Sequence, residues 1–147
     1  MKKRRDAFIA FLRVVLGCVF VFASIDKVAD PPAFAASIVN YKLVSGQLAL
    51  AVATVLPWVE LLAGFGLICG VFVRGSGMLT MIMLITFTAL VSSAMIRGLD
   101  ISCGCFTQDP AATKIGWQKL GENTLLVFIN FLILRLPDNR FVIKYRL

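Results

Sequence analysis

The chain has 147 residues, of which 59% are hydrophobic and only 16% are charged, and its mean hydropathy is +0.88. Soluble domains carry about 45–50% apolar and about 25% charged residues, so the composition excludes an ordinary soluble domain. The net charge of +7 does not indicate nucleic-acid binding, because the basic residues flank apolar runs and do not form a patch. The sequence therefore predicts an integral membrane protein that has the lipid bilayer, and no nucleic acid, as a partner.

Four apolar runs have roughly the length of about 20 residues that a helix needs to cross a bilayer. They cover residues 7–25, 48–73, 77–96 and 120–136. Backbone groups in lipid must be paired within their own segment, and the runs lack the alternation of a barrel, so we predict helices. The first run has the basic start of a signal peptide but no clear small-residue cleavage site. We predict one all-α domain over residues 1–147, a polytopic four-helix membrane bundle.

A short amphipathic helix is predicted between the first and second spans. In the stretch FAASIVNYKL, four apolar side chains recur at roughly helical spacing, namely Phe34, Ile38, Tyr41 and Leu43. Such a helix can lie along the membrane interface, with the Tyr41 ring at the level of the lipid headgroups. With the connection between the third and fourth spans, it is expected to cover the outer end of the bundle.

Basic residues mark one side of the membrane. They occupy positions 2–5, Arg74 between the second and third spans, and the C-terminal tail. Because positive residues favour the cytoplasmic side, both termini are predicted to be cytoplasmic in a multi-pass protein of the inner (plasma) membrane. The connection 97–119 is then predicted to lie outside, facing the periplasm.

That outer connection contains two cysteines separated by one glycine, in the sequence DISCGCFT. Disulfides persist outside the cytosol, and a bond between Cys103 and Cys105 would close a strained ring that is easily reduced. A structural bridge is disfavoured because so small a loop removes little chain entropy. The chain has no histidine for zinc, and two thiolates could hold Cu(I) only with further ligands from another chain. The pattern favours a redox pair and no metal site, and Cys18 and Cys69 are interpreted as small apolar residues within the spans.

Polar residues inside the spans form a second group of candidates. Glu60 lies near the centre of the second span, where a carboxyl usually faces the bundle interior or a cavity. Arg13 and Lys27 on the first span are its candidate partners. Either a structural ion pair or a role in proton or quinone chemistry would account for Glu60. Asn123 and Asn130 are seven residues apart on the fourth span, so they share a face that is expected to point inward and to join helices.

Several short motifs occur in order along nearly the whole chain: Arg13-x3-Gly17, Lys27, the segment 34–41, Pro57-x2-Glu60, Gly64, Cys103-Gly-Cys105-Phe106 and Asn123. In order and spacing they resemble the DoxX/MauE-like redox-associated membrane proteins, and the cysteine pair is more similar to the MauE branch. The resemblance implies a four-helix bundle linked to thiol–disulfide or sulfur metabolism, with several members tied to the maturation of periplasmic disulfide-rich enzymes. The fold also resembles that of quinone-linked disulfide oxidoreductases, although the CxxC of those enzymes is absent here.

The expected function is that of a thiol–disulfide oxidoreductase, with Cys103, Cys105 and Glu60 as the catalytic residues. A thioredoxin-like or disulfide-containing periplasmic protein is the expected partner. Quinone is the candidate cofactor, and the candidate residues for binding it are Arg13, Lys27, Tyr41, Trp58 and Asn123. The alternative is a non-catalytic accessory subunit or assembly factor of a larger membrane complex, in which the cysteines are structural.

Reporter fusions test the predicted topology. A fluorescent protein fused after Leu147 should be bright, and alkaline phosphatase inserted at Gln108 should be active, because each reporter works only on the predicted side. A fusion at Arg74 serves as the control and should behave like the fusion at Leu147. Phosphatase activity at Leu147 would overturn the assignment.

Overall fold

A computed structural model describes residues 2–44, 46–98 and 117–136. Within these ranges the chain forms five helices and no strand. In chain order they are α1 (Lys2–Ala29), α2 (Pro31–Asn40), α3 (Gly46–Cys69), α4 (Val73–Ile96) and α5 (Trp117–Arg135). The predicted all-α fold is confirmed.

The four long helices form a ring in which α1 packs on α3, α3 on α4, α4 on α5, and α5 on α1. The short helix α2 lies against α3 and α1, and we call the end of the bundle that carries α2 the outer end, after the predicted topology. All four long helices contribute to one buried apolar cluster, which comprises Leu16, Phe20, Leu67, Leu84 and Ile133. Lipid is as apolar as these side chains, so the hydrophobic effect does not drive the helices together within a membrane. Close packing of the side chains holds them together instead.

Gly17 and Gly64 bring the backbones of α1 and α3 into contact. A Cβ atom on Gly64 would lie 2.9 Å from the carbonyl oxygen of Gly17, and a Cβ atom on Gly17 would lie 2.7 Å from that of Gly64. Side chains do not tolerate such distances, so the crossing requires glycine on both helices. The contact fixes the relative position of the two helices that carry Lys27 and Glu60.

A tight turn joins α3 to α4, and it lies earlier than the apolar runs predict. Gly70 has a φ of 72° and ends α3, while the amide of Val71 donates to the carbonyl of Gly66 at 3.0 Å. This is the Schellman pattern of a helix C-terminus. The helix of the second predicted span, α3, therefore ends at Cys69 and not at residue 73, and the helix of the third, α4, begins at Val73 and not at residue 77. Hydropathy misses the boundary because apolar residues continue through the turn.

The predicted amphipathic helix between the first two spans is confirmed as α2. Asp30 begins it, because Oδ1 of Asp30 accepts a hydrogen bond from the Ala33 amide at 3.1 Å and prolines follow directly. The helix buries Phe34, and the residue after its end, Tyr41, is buried as well. Leu43 differs from the expectation, since it is exposed beyond the end of the helix.

Asn130 joins α5 to α4. Its Nδ2 donates to the carbonyl oxygen of Gly77 at 3.1 Å and to Oγ1 of Thr80 at 2.9 Å. Asn123 and Asn130 are both buried, which confirms that their shared face points inward. Because the end of α5 contacts the start of α4, the two helices are antiparallel.

Three helices of the described part of the chain are long and apolar enough to cross a membrane, namely Arg4–Ala29, Gly46–Cys69 and Val73–Ile96. Large apolar side chains such as Phe22 and Leu62 are exposed on their outer surfaces, as expected of helices in contact with lipid. The helix α5 is not among the three, so a fourth membrane crossing stays a prediction.

The α1–α3 crossing can be tested with two equivalent glycine substitutions. Gly64→Ala should lower stability by about 1–3 kcal/mol, because the new methyl group forces the two backbones apart. Gly121→Ala is the control: a Cβ atom there meets nothing within 4 Å, and alanine favours the helix over glycine. Thermal unfolding in detergent should therefore show a lower midpoint for Gly64→Ala and an equal or higher midpoint for Gly121→Ala. Equal midpoints for the two variants would contradict the close crossing.

Candidate functional site

A buried ion pair connects α1 to α3. Nζ of Lys27 donates to Oε1 and Oε2 of Glu60 at 2.9 and 2.8 Å. The two residues are only 6% and 8% exposed. The prediction that Glu60 faces the bundle interior within reach of a basic side chain is confirmed, and of the two candidates Arg13 and Lys27 the partner is Lys27. A charge at this depth is tolerated when an opposite charge lies in direct contact with it.

The ring of Phe34 covers the ammonium group of Lys27. Nζ lies 5.1 Å from the ring centroid, a distance at which the negative face of an aromatic ring attracts a cation. Phe34 belongs to α2, so the short helix contributes directly to the environment of the ion pair. The sequence identified Phe34 only as part of an apolar face. Its position over Lys27 depends on how α2 folds back against α1 and α3, which no local pattern encodes.

A cavity of about 290 Å³ lies beside the ion pair and is bounded by all four long helices. Most of its lining is apolar, including Phe20, Leu56 and Phe87. Its polar lining consists of Lys27, Glu60, Thr86 and Asn123. Mostly apolar cavities with a few convergent polar groups are typical of small-molecule sites. The cavity was not predicted, since it depends on the relative positions of helices far apart in sequence.

Asn123 contributes a buried hydrogen-bond donor to the cavity. The residue is 8% exposed, and its Nδ2 has no hydrogen-bond partner among the described residues. A buried donor without a partner destabilises a protein by about 1–3 kcal/mol, so such a group suggests that something binds beside it. The spacing of the two asparagines predicted that Asn123 points inward, but not that its Nδ2 lacks a partner in the described structure while the Nδ2 of Asn130 has two.

The other candidate binding residues lie away from the cavity. Arg13 is buried, but it precedes Lys27 by 14 residues, which is roughly 21 Å along a helix. Trp58 is 54% exposed and belongs to the outer surface of α3. The structure thus brings Lys27, Glu60 and Asn123 together, and it does not bring Arg13 or Trp58 to them.

Tyr41 and Arg97 connect the short helix to the end of α4. Nη1 of Arg97 donates to the carbonyl oxygen of Tyr41 at 3.0 Å. The Tyr41 side chain is buried, its hydroxyl has no hydrogen-bond partner within the described ranges, and burial raises the pKa of that hydroxyl to about 12. Because Arg97 is the first residue after α4, the connection to α5 leaves the bundle beside α2. Cys103 and Cys105 lie in this connection, outside the described residues.

The ion pair can be tested by removing one charge. Glu60→Gln should destabilise the protein by about 3–5 kcal/mol, because it leaves the Lys27 ammonium buried without its counter-charge. Glu122→Gln is the matched control, since the Glu122 side chain is 44% exposed in its pair with Lys119 and exposed pairs contribute about 1 kcal/mol or less.

Thermal unfolding in detergent measures both variants. The double variant Lys27→Met/Glu60→Met should recover most of the stability lost in Glu60→Gln, because no charge is then left buried. A Glu60→Gln midpoint equal to that of Glu122→Gln would show that the pair does not constrain the bundle.

Comparison with known proteins identifies relatives of this chain. A family model described as "Methylamine utilisation protein MauE" matches residues 5–136. The protein named "Methylamine utilization protein MauE" from Methylorubrum extorquens is 30% identical over 122 residues, which are 82% of this chain and 65% of that protein. The protein of the same name from Paracoccus denitrificans is 27% identical over 116 residues, which are 78% of this chain and 62% of that protein.

The chain spans slightly less than two thirds of the length of these two relatives. No solved structure matches it. The matched residues include the Lys27–Glu60 pair, Asn123 and the Cys103-Gly104-Cys105 sequence. They also include nearly all of the five helices, three of which can cross a membrane. The chain is thus a multi-pass membrane protein that belongs to the MauE family.

Proposed function

We propose that the protein is a membrane thiol–disulfide exchange protein that acts in methylamine utilisation, the process for which its relatives are named. Cys103 and Cys105 are the proposed redox pair. The observation that supports this proposal best is the position of the ion pair and its cavity. They lie in the middle and outer part of the bundle, and the cysteine-containing connection begins after Arg97 at the outer end.

The proposed reaction is a two-step exchange with a disulfide of a periplasmic protein. A thiolate from the Cys103/Cys105 pair attacks one sulfur of the partner's disulfide, which forms a mixed disulfide and releases the other partner sulfur as a thiolate. The second cysteine then attacks the mixed disulfide. The pair is oxidised to its own disulfide, and the partner gains two electrons and two protons as a dithiol. The reverse sequence would oxidise the partner.

Glu60 is the proposed proton-exchanging group of the site. Each thiol must lose a proton before it attacks, and carboxylates are common proton acceptors in such steps. A carboxylate that is held by Lys27 and adjoins a cavity is suited to this role, because its position is fixed and its charge is balanced. We further propose an inner-membrane location with both termini cytoplasmic, which puts the cysteine pair in the compartment where disulfides persist.

A second candidate function is that of an accessory subunit or assembly factor within a larger membrane complex. The names of the two relatives favour it, since they specify a process and no reaction. In this case the cysteines have a structural role, and their loss affects assembly and not electron transfer. The redox state of the pair separates the two functions.

Trapping a mixed disulfide tests the exchange. In Cys103→Ser and in Cys105→Ser, one cysteine remains that can attack the partner's disulfide, but the second cysteine that would resolve the mixed disulfide is missing. One of these variants should therefore accumulate a reductant-sensitive adduct with a periplasmic protein. Cys69→Ser is the control and should behave like the wild type. The double variant Cys103→Ser/Cys105→Ser should form no adduct.

Titration with thiol buffers distinguishes the two functions further. A membrane-impermeant thiol reagent should label the pair only after mild reduction, with a midpoint potential above about −300 mV, since inert structural bridges lie below that value. A lower midpoint together with stable co-purification in a large complex would reject exchange in favour of the accessory function.

A further inference from the structure

The cavity beside the Lys27–Glu60 pair is partly open and large enough for a small molecule. Its volume of about 290 Å³ is near the lower end of the range of about 300–1,000 Å³ for small-molecule sites. Protein interiors are otherwise close-packed, with few voids larger than one water molecule. The apolar walls, including Phe20, Leu84 and Phe87, would hold water poorly. The space is therefore suited to an apolar molecule.

The charges in the cavity favour a neutral occupant. Nζ of Lys27 contacts both carboxylate oxygens of Glu60, so the two formal charges in the lining cancel. An ionic ligand would lose its hydration in this apolar space without gaining an unbalanced counter-charge. A neutral molecule avoids that loss.

The hydrogen-bonding groups favour an acceptor on that molecule. Nδ2 of Asn123 is a buried donor that lacks a partner within the described residues. An ammonium group has three N–H donors, and Glu60 accepts two hydrogen bonds from Lys27. Among the polar side chains that line the cavity in the described structure, Asn123 Nδ2 is the only buried atom without a partner, so the unmet hydrogen-bonding capacity is that of a donor. A carbonyl oxygen is the neutral acceptor that fits.

The cavity reaches the lipid-facing surface of the bundle along α4. At the inner end α3 and α4 are in close contact, because a Cβ atom on Gly66 would collide with Oγ of Ser76. Toward the outer end Leu56 on α3 and Ile82 and Thr86 on α4 line the cavity instead. Ile82 is 63% exposed and Thr86 is also exposed. A molecule in the cavity can therefore extend past these two residues into lipid.

We propose that this cavity binds a neutral, lipid-soluble carbonyl compound, with its carbonyl oxygen at Asn123 and Lys27 and its apolar tail passing Ile82 and Thr86 into the bilayer. Two molecular classes share this chemistry in a membrane, namely quinones and lipid esters. The proposed binding site rests on the cavity and its polar groups, and it does not depend on the thiol exchange proposed above.

Binding to the purified full chain tests the site. The probes are a decyl-substituted benzoquinone and didecanoylglycerol, with dodecane as the control that has the tail but no carbonyl. Isothermal titration in detergent should give saturable binding of at least one carbonyl probe and none of dodecane. Tighter binding of the quinone identifies a quinone site, and tighter binding of the diester identifies a lipid-ester site.

Variants locate the binding. Asn123→Leu should lower the affinity for the carbonyl probe at least tenfold. The variant should fold normally, because the Nδ2 that it removes has no partner in the described structure. Ala23→Phe places a ring in the cavity, which Ala23 lines, and should abolish binding. Thr124→Val is the matched control on α5 and should bind like the wild type, since Thr124 is exposed and its hydroxyl bonds within its own helix.

Cys103→Ser/Cys105→Ser should also bind like the wild type, which separates this site from the exchange reaction. The proposal is overturned if neither carbonyl probe saturates, if dodecane binds as well as they do, or if Asn123→Leu and Ala23→Phe both keep the wild-type affinity.

Discussion

Lys27 and Glu60 bring opposite charges together inside a bundle whose outer surface is apolar, and neither charge is tolerated there alone. The requirement that they meet sets how far α1 and α3 can slide or rotate against each other. The backbone contact at Gly17 and Gly64 contributes to the same result, because it lets α1 and α3 approach closely enough for the two charges to meet. The position of α2 depends on the pair as well, since Phe34 lies over the ammonium group.

Two polar contacts between long helices of the described structure lie in separate pairs of helices. The charged pair joins α1 to α3, and the amide of Asn130 joins α5 to α4. The apolar cluster around Leu16 and Leu84 brings the two pairs together. Polar contacts are directional and fix the register of two helices, whereas apolar packing tolerates small shifts. The relative position of the two helices within each pair is therefore more constrained than that of one pair against the other. The cavity lies between all four helices, at the junction of the two pairs.

The sequence predicts those features that depend on the burial of a single side chain or on the spacing within one helix. A carboxyl in an apolar run must face inward, so the direction of Glu60 was predictable from burial cost, whereas the choice of Lys27 over Arg13 as its partner came from the structure. The inward face of α5 followed from the spacing of Asn123 and Asn130 in the same way. The turn after Cys69 was misplaced, because hydropathy averages over residues and a left-handed glycine acts at a single position.

The cavity and the cover of Lys27 by Phe34 were not predictable from one sequence. Both depend on distances between helices, which result from many side chains packing at once. For the same reason, only some of the five candidate binding residues lie together in the structure. Lys27 and Asn123 meet at the cavity, while Arg13, Tyr41 and Trp58 do not line it. Periodicity identifies the inward face of a helix but not the height at which two helices meet.

The bonds of Asn130 to α4 have a consequence for biogenesis. A carboxamide in lipid needs a partner, and the partners of this one are the carbonyl of Gly77 and the hydroxyl of Thr80. Because α4 precedes α5 in the chain, those acceptors are synthesised first. A fourth span would then enter the bilayer as the second arm of a helical hairpin, and its insertion free energy would include contacts on α4. A change at Thr80 could thus alter the orientation of the C-terminus without any change in α5 itself.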